Sequence, residues 1–276
     1  MSLTVKAYAK VNLWLDITQR RPDGFHDLNT VMRRIDLYDD VTVDTNGSGD
    51  VFILCDDPEV PTDERNVAYR AAKLFFAPAN KNLGAIIRIT KRIPKQAGLG
   101  GSSTDGAAVL TALNTLCGQP FGVERLCSLG AKLGADVPFC ITGGTARCNG
   151  IGDIIQPIDC TGFAAVVVIP ELCRFTADAY LKYDLSPIPE RPGFDAYCGG
   201  IGRNRTFLAR NMYNIFEAIY ADPRIGAVKK QLTDAGSLGA CMSGSGSAVF
   251  GIFDDMADAQ AAVEKIDGTA FAVRAL

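Results

Sequence analysis

Residues 97–104, AGLGGSST, set three glycines, two serines and a threonine between an apolar segment of strand character and an alanine-rich segment of helical period. A strand must end and a helix begin there, through backbone conformations closed to most side chains. Glycine also lets another group approach the main chain closely, the hydroxyls add donors, and a helix N-terminus carries unpaired N–H groups with about half a positive charge. Together these suit a polyphosphate. The loop lacks the Gly-Lys-Ser/Thr ending of a Walker loop, and Ser103 stands where a G-x-G-x-x-G dinucleotide fingerprint needs its last glycine. On this physics alone, a flexible turn capped by Ser103 stays open as well.

The flanking patterns place the loop. Val5, Ala7, Ala9, Val11, Leu13 and Leu15 alternate with Lys6, Tyr8, Lys10, Asn12 and Trp14, which predicts a strand carrying Lys10 and Asn12 side by side. A Pro22-Asp23-Gly24 turn carries Phe25 and His26 and leads to strand patterns over 31–43 and 51–55. Val67, Ala68, Ala71, Ala72 and Phe75 have helical period, with Asp63, Glu64 and Asn66 at the start. A strand over 85–93 enters the loop and a helix through Leu116 leaves it. A second helix over 123–133 stops at Gly134, with Asp136 in a turn before Val137-Pro138, and 144–159 reads as a hairpin turning near Asn149-Gly150. Beyond it lie an apolar run over 163–169, a Pro- and Gly-rich loop over 186–205, helical patterns over 207–220, 225–234 and 255–266, and strand candidates over 248–253 and 270–273. This order predicts an α+β chain of two domains, 1–160 and 161–276, the second a sheet covered by helices on one face.

Composition narrows the function classes. Of 276 residues, 47% are hydrophobic and 21% charged, the globular range, and a net charge of −3 gives no basic field for nucleic acid or an anionic membrane. The nine cysteines (Cys55, Cys117, Cys127, Cys140, Cys148, Cys160, Cys173, Cys198 and Cys241) are odd in number and form no CxxC, so reduced thiols are expected. MSLTVKAYAK lacks the pattern of a secretory signal, and no apolar run approaches the roughly eighteen residues of a membrane span. A cytoplasmic protein that acts on a small molecule, without an obligatory protein partner, is the expectation. His26 is the one histidine, which excludes a multi-His zinc site.

Taken whole, PKQAGLGGSSTDGAA resembles the second motif of the GHMP kinases, the family of galactokinase, homoserine kinase and mevalonate kinase, written P-x-x-x-G-L-G-S/G-S-S. AYAKVNLWL and ACMSGSGSAVFGIF stand where that family carries its first and third motifs. The resemblance implies a two-domain GHMP kinase fold, with an N-terminal half like ribosomal protein S5 domain 2 and a ferredoxin-like C-terminal half, and it implies ATP and Mg²⁺ as cofactors. ATP phosphates would lie on Ala97, Gly98, Leu99, Gly100, Gly101, Ser102, Ser103 and Thr104. Ser102 and Thr104 depart from the glycine and serine usual there, yet both keep donors, so phosphate binding is expected to survive if Ser102 need not hold a positive φ. Ser103 has two readings, a hydroxyl near Mg²⁺ or a helix cap. Asn66 also has two, a contact to the adenine end or a plain helix start. Residues 243–247 would support the loop or substrate phosphates as a second nest of N–H groups.

From the residues alone, Lys10 is a solvated strand lysine and Asp136 a turn aspartate. The resemblance makes Lys10 the cation that stabilises the transferring phosphoryl group, Asp136 the catalytic carboxylate, and Asn12 a substrate contact. AKVNL, RPDGFH and GADVPF together resemble one branch of the family, whose acceptor is a cytidine diphosphate-linked methylerythritol. That branch implies that Phe25 stacks on the base, His26 hydrogen-bonds its edge, Tyr180 covers the other side and Thr176 contacts substrate. Phe25 replaces the usual tyrosine, keeping the platform without the hydroxyl. Another GHMP kinase, for homoserine, mevalonate or a sugar, and a catalytically silent relative are the competing readings.

Overall fold

The computed structural model describes residues 1–77, 83–172 and 175–276. Two long strands open the chain, β1 (Ser2–Arg20) and β2 (His26–Asn46), joined by the expected turn, where Gly24 takes φ +89° and the Arg21 N–H donates to the Phe25 carbonyl at 2.8 Å. In β3 (Val51–Cys55) the alternation is plain, with Val51 and Ile53 buried and Phe52 and Leu54 exposed. Helix α1 (Val67–Phe76) starts at Asn66, whose Oδ1 accepts from the Ala68 N–H at 2.8 Å. Strand β4 (Gly84–Thr90) leads to the glycine-rich stretch, and α2 (Gly101–Leu116) begins inside it, so Ser102, Ser103 and Thr104 are helical residues. After α3 (Val123–Ala131), the expected turn at Asp136 is the N-cap of a short helix, α4 (Val137–Thr142), with Pro138 in the first turn where its missing N–H costs nothing. The hairpin is β5 (Thr145–Asn149) and β6 (Ile154–Pro157).

Strand β7 (Ala164–Ile169) and helix α5 (Thr176–Asp184) follow. The 186–205 stretch, expected as loop, contains α6 (Phe194–Gly200), whose Phe194 and Tyr197 rings pack on Trp14 at 5.7 and 5.0 Å. Burial of two aromatics holds this short helix in spite of its weak pattern. The helical pattern over 207–220 is broken into α7 (Arg205–Arg210), β8 (Tyr213–Asn214) and α8 (Ile215–Tyr220). Asn214 causes the break: its Oδ1 accepts the N–H groups of Phe216 and Glu217 at 2.9 and 3.3 Å as a new N-cap, while Tyr213 and Asn214 pair in parallel with Trp14 and Leu15. The chain closes with α9 (Pro223–Asp234), β9 (Gly239–Met242), β10 (Val249–Phe253), α10 (Met256–Val263) and β11 (Thr269–Arg274). Strand β9 carries no strand signal in the sequence, because Gly-Ala-Cys-Met shows no two-residue alternation.

These elements form two compact units, one of residues 1–9, 37–93 and 100–143, the other of 10–36, 94–99 and 144–276. In the first, β3 runs parallel to β4, and β4 antiparallel to the later half of β2, with Asp40 opposite Thr90. Its core joins that sheet to α1 and α2 through Val41, Val43, Phe75, Ile87, Leu110 and Leu113. In the second, an antiparallel sheet has the order β11-β7-β10-β9, with α9 and α10 packed on it. Numbered along the chain, that order is 4-1-3-2 with helices in the first and last connections, a ferredoxin-like arrangement. The eight described cysteines are thiols and Cys173 lies outside the described residues. Among the described residues no helix is long and apolar enough to cross a membrane.

Candidate functional site

Lys10 is only 4% exposed, although strand alternation alone would leave it solvated. Its Nζ donates to Asn12 Oδ1 at 2.7 Å and to the Gly98 carbonyl at 3.1 Å, and its N–H donates to the Leu99 carbonyl at 3.0 Å. Asn12, also buried, uses the other end of its amide to donate to Thr30 Oγ1 at 2.9 Å, and Thr30 donates to the Trp14 carbonyl at 2.6 Å. That chain fixes the orientation of the Asn12 amide. Asn12 therefore orients the Lys10 ammonium.

The third glycine motif locks this arrangement. Ser243 Oγ donates to the Gly98 carbonyl at 2.9 Å and accepts the Asn12 N–H at 3.2 Å, while the Ala248 N–H donates to the Ala97 carbonyl at 3.0 Å. Asn214 Nδ2 holds the motif from behind, donating to the carbonyls of Met242 and Gly244 at 2.7 and 2.9 Å. The carbonyls of Ala97, Gly98 and Leu99 are thus all occupied, and the backbones touch so closely that a Cβ on Gly98 would stand 2.1 Å from the Ser243 carbonyl oxygen.

Where the loop becomes α2, Gly98 and Gly100 carry the left-handed backbone, at φ +78° and +75°, so Ser102 is spared it. Gly100 is the N-cap and offers no side chain, which rules out capping by Ser103. The first N–H groups of α2, at Gly101 to Ser103, have no intrahelical acceptor, an arrangement that suits an anion. Thr104 is buried and gives its hydroxyl proton to the Tyr8 carbonyl at 2.8 Å, which ties the first turn to β1. Ser103 Oγ lies 3.9 Å from where a Cβ on Gly134 would stand, two residues before Asp136. Asp136 is half-buried and its side chain does not cap α4, although its carbonyl accepts from the Cys140 N–H at 3.0 Å. Asn66 commits its Nδ2 to the Pro61 carbonyl at 2.7 Å as well as capping α1.

Below the start of α2 lies a charge cluster that sequence reasoning missed. Lys91 Nζ meets the carboxylates of Asp39 and of Asp105, the latter at 2.8 Å, and Asp39 also accepts the Ile93 N–H at 2.8 Å. Burial pushes the Asp105 carboxyl well above the usual carboxylate range, the attraction of Lys91 notwithstanding, and the Asp39 charge adds to the rise. Burial works against the Lys91 ammonium, but the Asp105 and Asp39 carboxylates outweigh it and raise its pKa. Because folded Asp105 holds its proton more tightly than the unfolded chain does, this group favours folding most at low pH. Its contribution is lost as pH rises from about 4 through the raised value. Asp105→Asn cannot titrate and is expected to flatten that decline. Urea midpoints measured between about pH 4 and pH 8 check this, and parallel profiles for the two proteins count against it.

One face of α5 carries the substrate candidates Thr176 and Tyr180 with Asp184, recurring at i, i+4 and i+8. The Tyr180 ring stacks on His26 at 4.9 Å and 29°, and His26 Nε2 pairs with Asp184 Oδ1 at 2.8 Å. An ionised carboxylate only accepts, so it places the proton of a neutral imidazole on Nε2 and leaves Nδ1 as an acceptor. Phe25 stands 59% exposed on its turn. Thr176 Oγ1 lies 3.1 Å from Ser245 Oγ, beside the third glycine motif. Asp184 was not singled out from the sequence, although its helical spacing from Tyr180 is the signal that marks it.

The pattern of the GHMP kinases N terminal domain matches residues 66–144, and that of the GHMP kinases C terminal matches 200–272. The 4-diphosphocytidyl-2-C-methyl-D-erythritol kinase of Clostridium botulinum (strain Eklund 17B / Type B) is 43% identical over 268 residues, 96% of this chain and 95% of that one. The chain belongs to the GHMP kinase family, whose members use ATP as phosphate donor. A crystal structure of 4-(cytidine 5'-diphospho)-2C-methyl-D-erythritol kinase is similar with a TM-score of 0.83 at 34% identity, over 99% of both chains. Homoserine kinase from Cytophaga hutchinsonii shares the fold at 21% identity, with a TM-score of 0.76 over 100% of this chain and 94% of that one.

Proposed function

We infer that this chain transfers the γ-phosphoryl group of ATP to the 2-hydroxyl of 4-diphosphocytidyl-2-C-methyl-D-erythritol, in the non-mevalonate route to isoprenoid precursors. The observation that carries the reading is the buried Lys10 ammonium, held by Asn12 Oδ1 and by the carbonyl of Gly98 in the second glycine motif. A cation held that firmly loses little on meeting the charge that develops in phosphoryl transfer. The relatives at 43% identity and the His26, Tyr180 and Asp184 constellation support the choice of acceptor.

In this reading the acceptor oxygen forms a bond to the γ-phosphorus, the bond to the bridging oxygen of ADP breaks, and the hydroxyl proton passes to Asp136. Lys10 is assigned to the charge on the phosphoryl oxygens. The N-terminus of α2, with the 97–104 stretch, is assigned to the ATP phosphates and Asn66 to the adenine end. Phe25, His26 and Tyr180 are assigned to cytosine, with His26 Nδ1 accepting from the exocyclic amine, and Thr176 to the rest of the acceptor. Mg²⁺ fits this donor set, because it takes one or two protein oxygens beside nucleotide phosphates, and the Ser103 hydroxyl supplies one. Among the described residues there is no cluster of three or more His, Cys, Asp or Glu that would make a site independent of the nucleotide. When bound, Mg²⁺ would offset the negative charge of the nucleotide phosphates. The proposal includes a cytoplasmic location and sequence domains of 1–160 and 161–276.

ADP release from Mg-ATP tests the function across the cytidyl acceptor, homoserine, mevalonate and galactose. Turnover is expected with the cytidyl compound. Turnover of homoserine or mevalonate with none on the cytidyl compound overturns the acceptor and leaves the family intact.

A further inference from the structure

Among the described residues, three that are not glycine hold a positive φ: Gln96 at 53°, Gln119 at 59° and Ala221 at 43°. Two of them have an ordinary cause. Ala221 is the C-cap of α8, and Gln119 follows the C-terminus of α2, where helices commonly end in a left-handed residue. Gln96 ends no helix. It occupies the second position of the Lys95-Gln96 turn, a place where glycine is favoured and a side chain costs on the order of 1 kcal/mol.

What distinguishes Gln96 is its surroundings. With Gly98, Phe175, Thr176, Ser245 and Gly246 it lines a cavity of about 160 Å³. Gly98 is the residue whose carbonyl holds Lys10, so this cavity lies beside the proposed phosphoryl-transfer cation. The Thr176 and Ser245 hydroxyls, 3.1 Å apart, face each other across its wall, and the exposed Phe175 supplies an apolar surface. None of the six lining residues carries a charge. A wall of neutral donors and acceptors with one aromatic face suits hydroxyl groups and their carbon skeleton better than bare phosphate. The space is wide enough for several waters or for a short polyol in their place.

We propose that Gln96 is a specificity contact for the acceptor, its side-chain amide hydrogen-bonding the polyol hydroxyls in this cavity. The left-handed backbone is the means: it turns a long neutral donor and acceptor into a site where glycine would satisfy the turn but reach nothing. This assignment rests on the acceptor reading given above, and it adds a residue that the family motif leaves unspecified and that reading does not include.

The test compares the full-length wild type with Gln96→Gly and Gln96→Ala. KM for the cytidyl acceptor is expected to rise roughly five- to tenfold in both, the loss of one neutral hydrogen bond, while KM for ATP stays within about twofold. The glycine variant should melt at or above the wild-type temperature, because glycine relieves the positive φ. Function and stability then move in opposite directions, which a merely structural glutamine does not produce. Unchanged KM for the acceptor in the glycine variant overturns the proposal, and that variant suffices if the alanine protein proves unstable. Wild type that leaves the cytidyl compound untouched overturns the acceptor reading itself, a result visible before any variant is measured.

Discussion

An Asp136→Asn variant is expected to fold normally, to keep both KM values within about threefold, and to turn over roughly 10²–10⁴-fold more slowly, the range a positioned acid or base contributes. Asparagine keeps the size and polarity of the side chain and removes only the charge and the basicity. The Asp136 side chain makes no capping bond, and its link to the Cys140 N–H runs through the carbonyl, so the substitution leaves the N-terminus of α4 capped as before. Thermal melting and steady-state kinetics on the same preparation check both halves. Turnover within about tenfold of wild type would remove Asp136 from the chemistry and leave it a positioning group at most.

The second large effect concerns stability. Gly98→Ala sets a methyl carbon 2.1 Å from the Ser243 carbonyl oxygen and forces a side chain onto φ +78°. Backbone faces backbone at that point, so neither partner yields by a rotamer change. Left-handed strain and overpacking together should cost about 3–5 kcal/mol, lowering the melting temperature by roughly 10 °C for a chain of this size. The carbonyl of Gly98 would shift with its neighbours and loosen its bond to Lys10, so turnover should fall as well. Gly24→Ala is the control, because the same sign of φ there, +89°, meets open space. Equal melting of the two variants would show that the contact between the motifs carries none of the loss.

Local pattern made much of the frame legible. The period-two run from Val5 to Leu15 announced β1 and the pairing of Lys10 with Asn12, and the Pro22 to Gly24 turn and the 144–159 hairpin follow from turn chemistry. What pattern did not show was created by contacts between distant residues. Helix α6 exists because Trp14 offers its rings a surface, and the 207–220 pattern breaks because Asn214 caps a new helix while supporting a loop some thirty residues later. The candidate site divides in the same way. Lys10, Asp136, the glycine-rich stretch and the third motif with Ser243 are marked by motifs, whereas the Lys91 cluster joins partners that no local spacing reveals, and Asp184 carries only its helical spacing from Tyr180.

The bonds of Ser243 also set an order in time. It reaches back 145 residues to Gly98 and 231 to Asn12, so the bracket around Lys10 is among the least local features of the chain. A nascent polypeptide that has not yet reached Ser243 already contains the lysine, the asparagine and the glycine, but not the hydroxyl that joins them. Synthesis from the N-terminus therefore delivers the Lys10 ammonium well before the hydroxyl that completes its setting. The bracket around the Lys10 ammonium is complete only once Ser243 has been made.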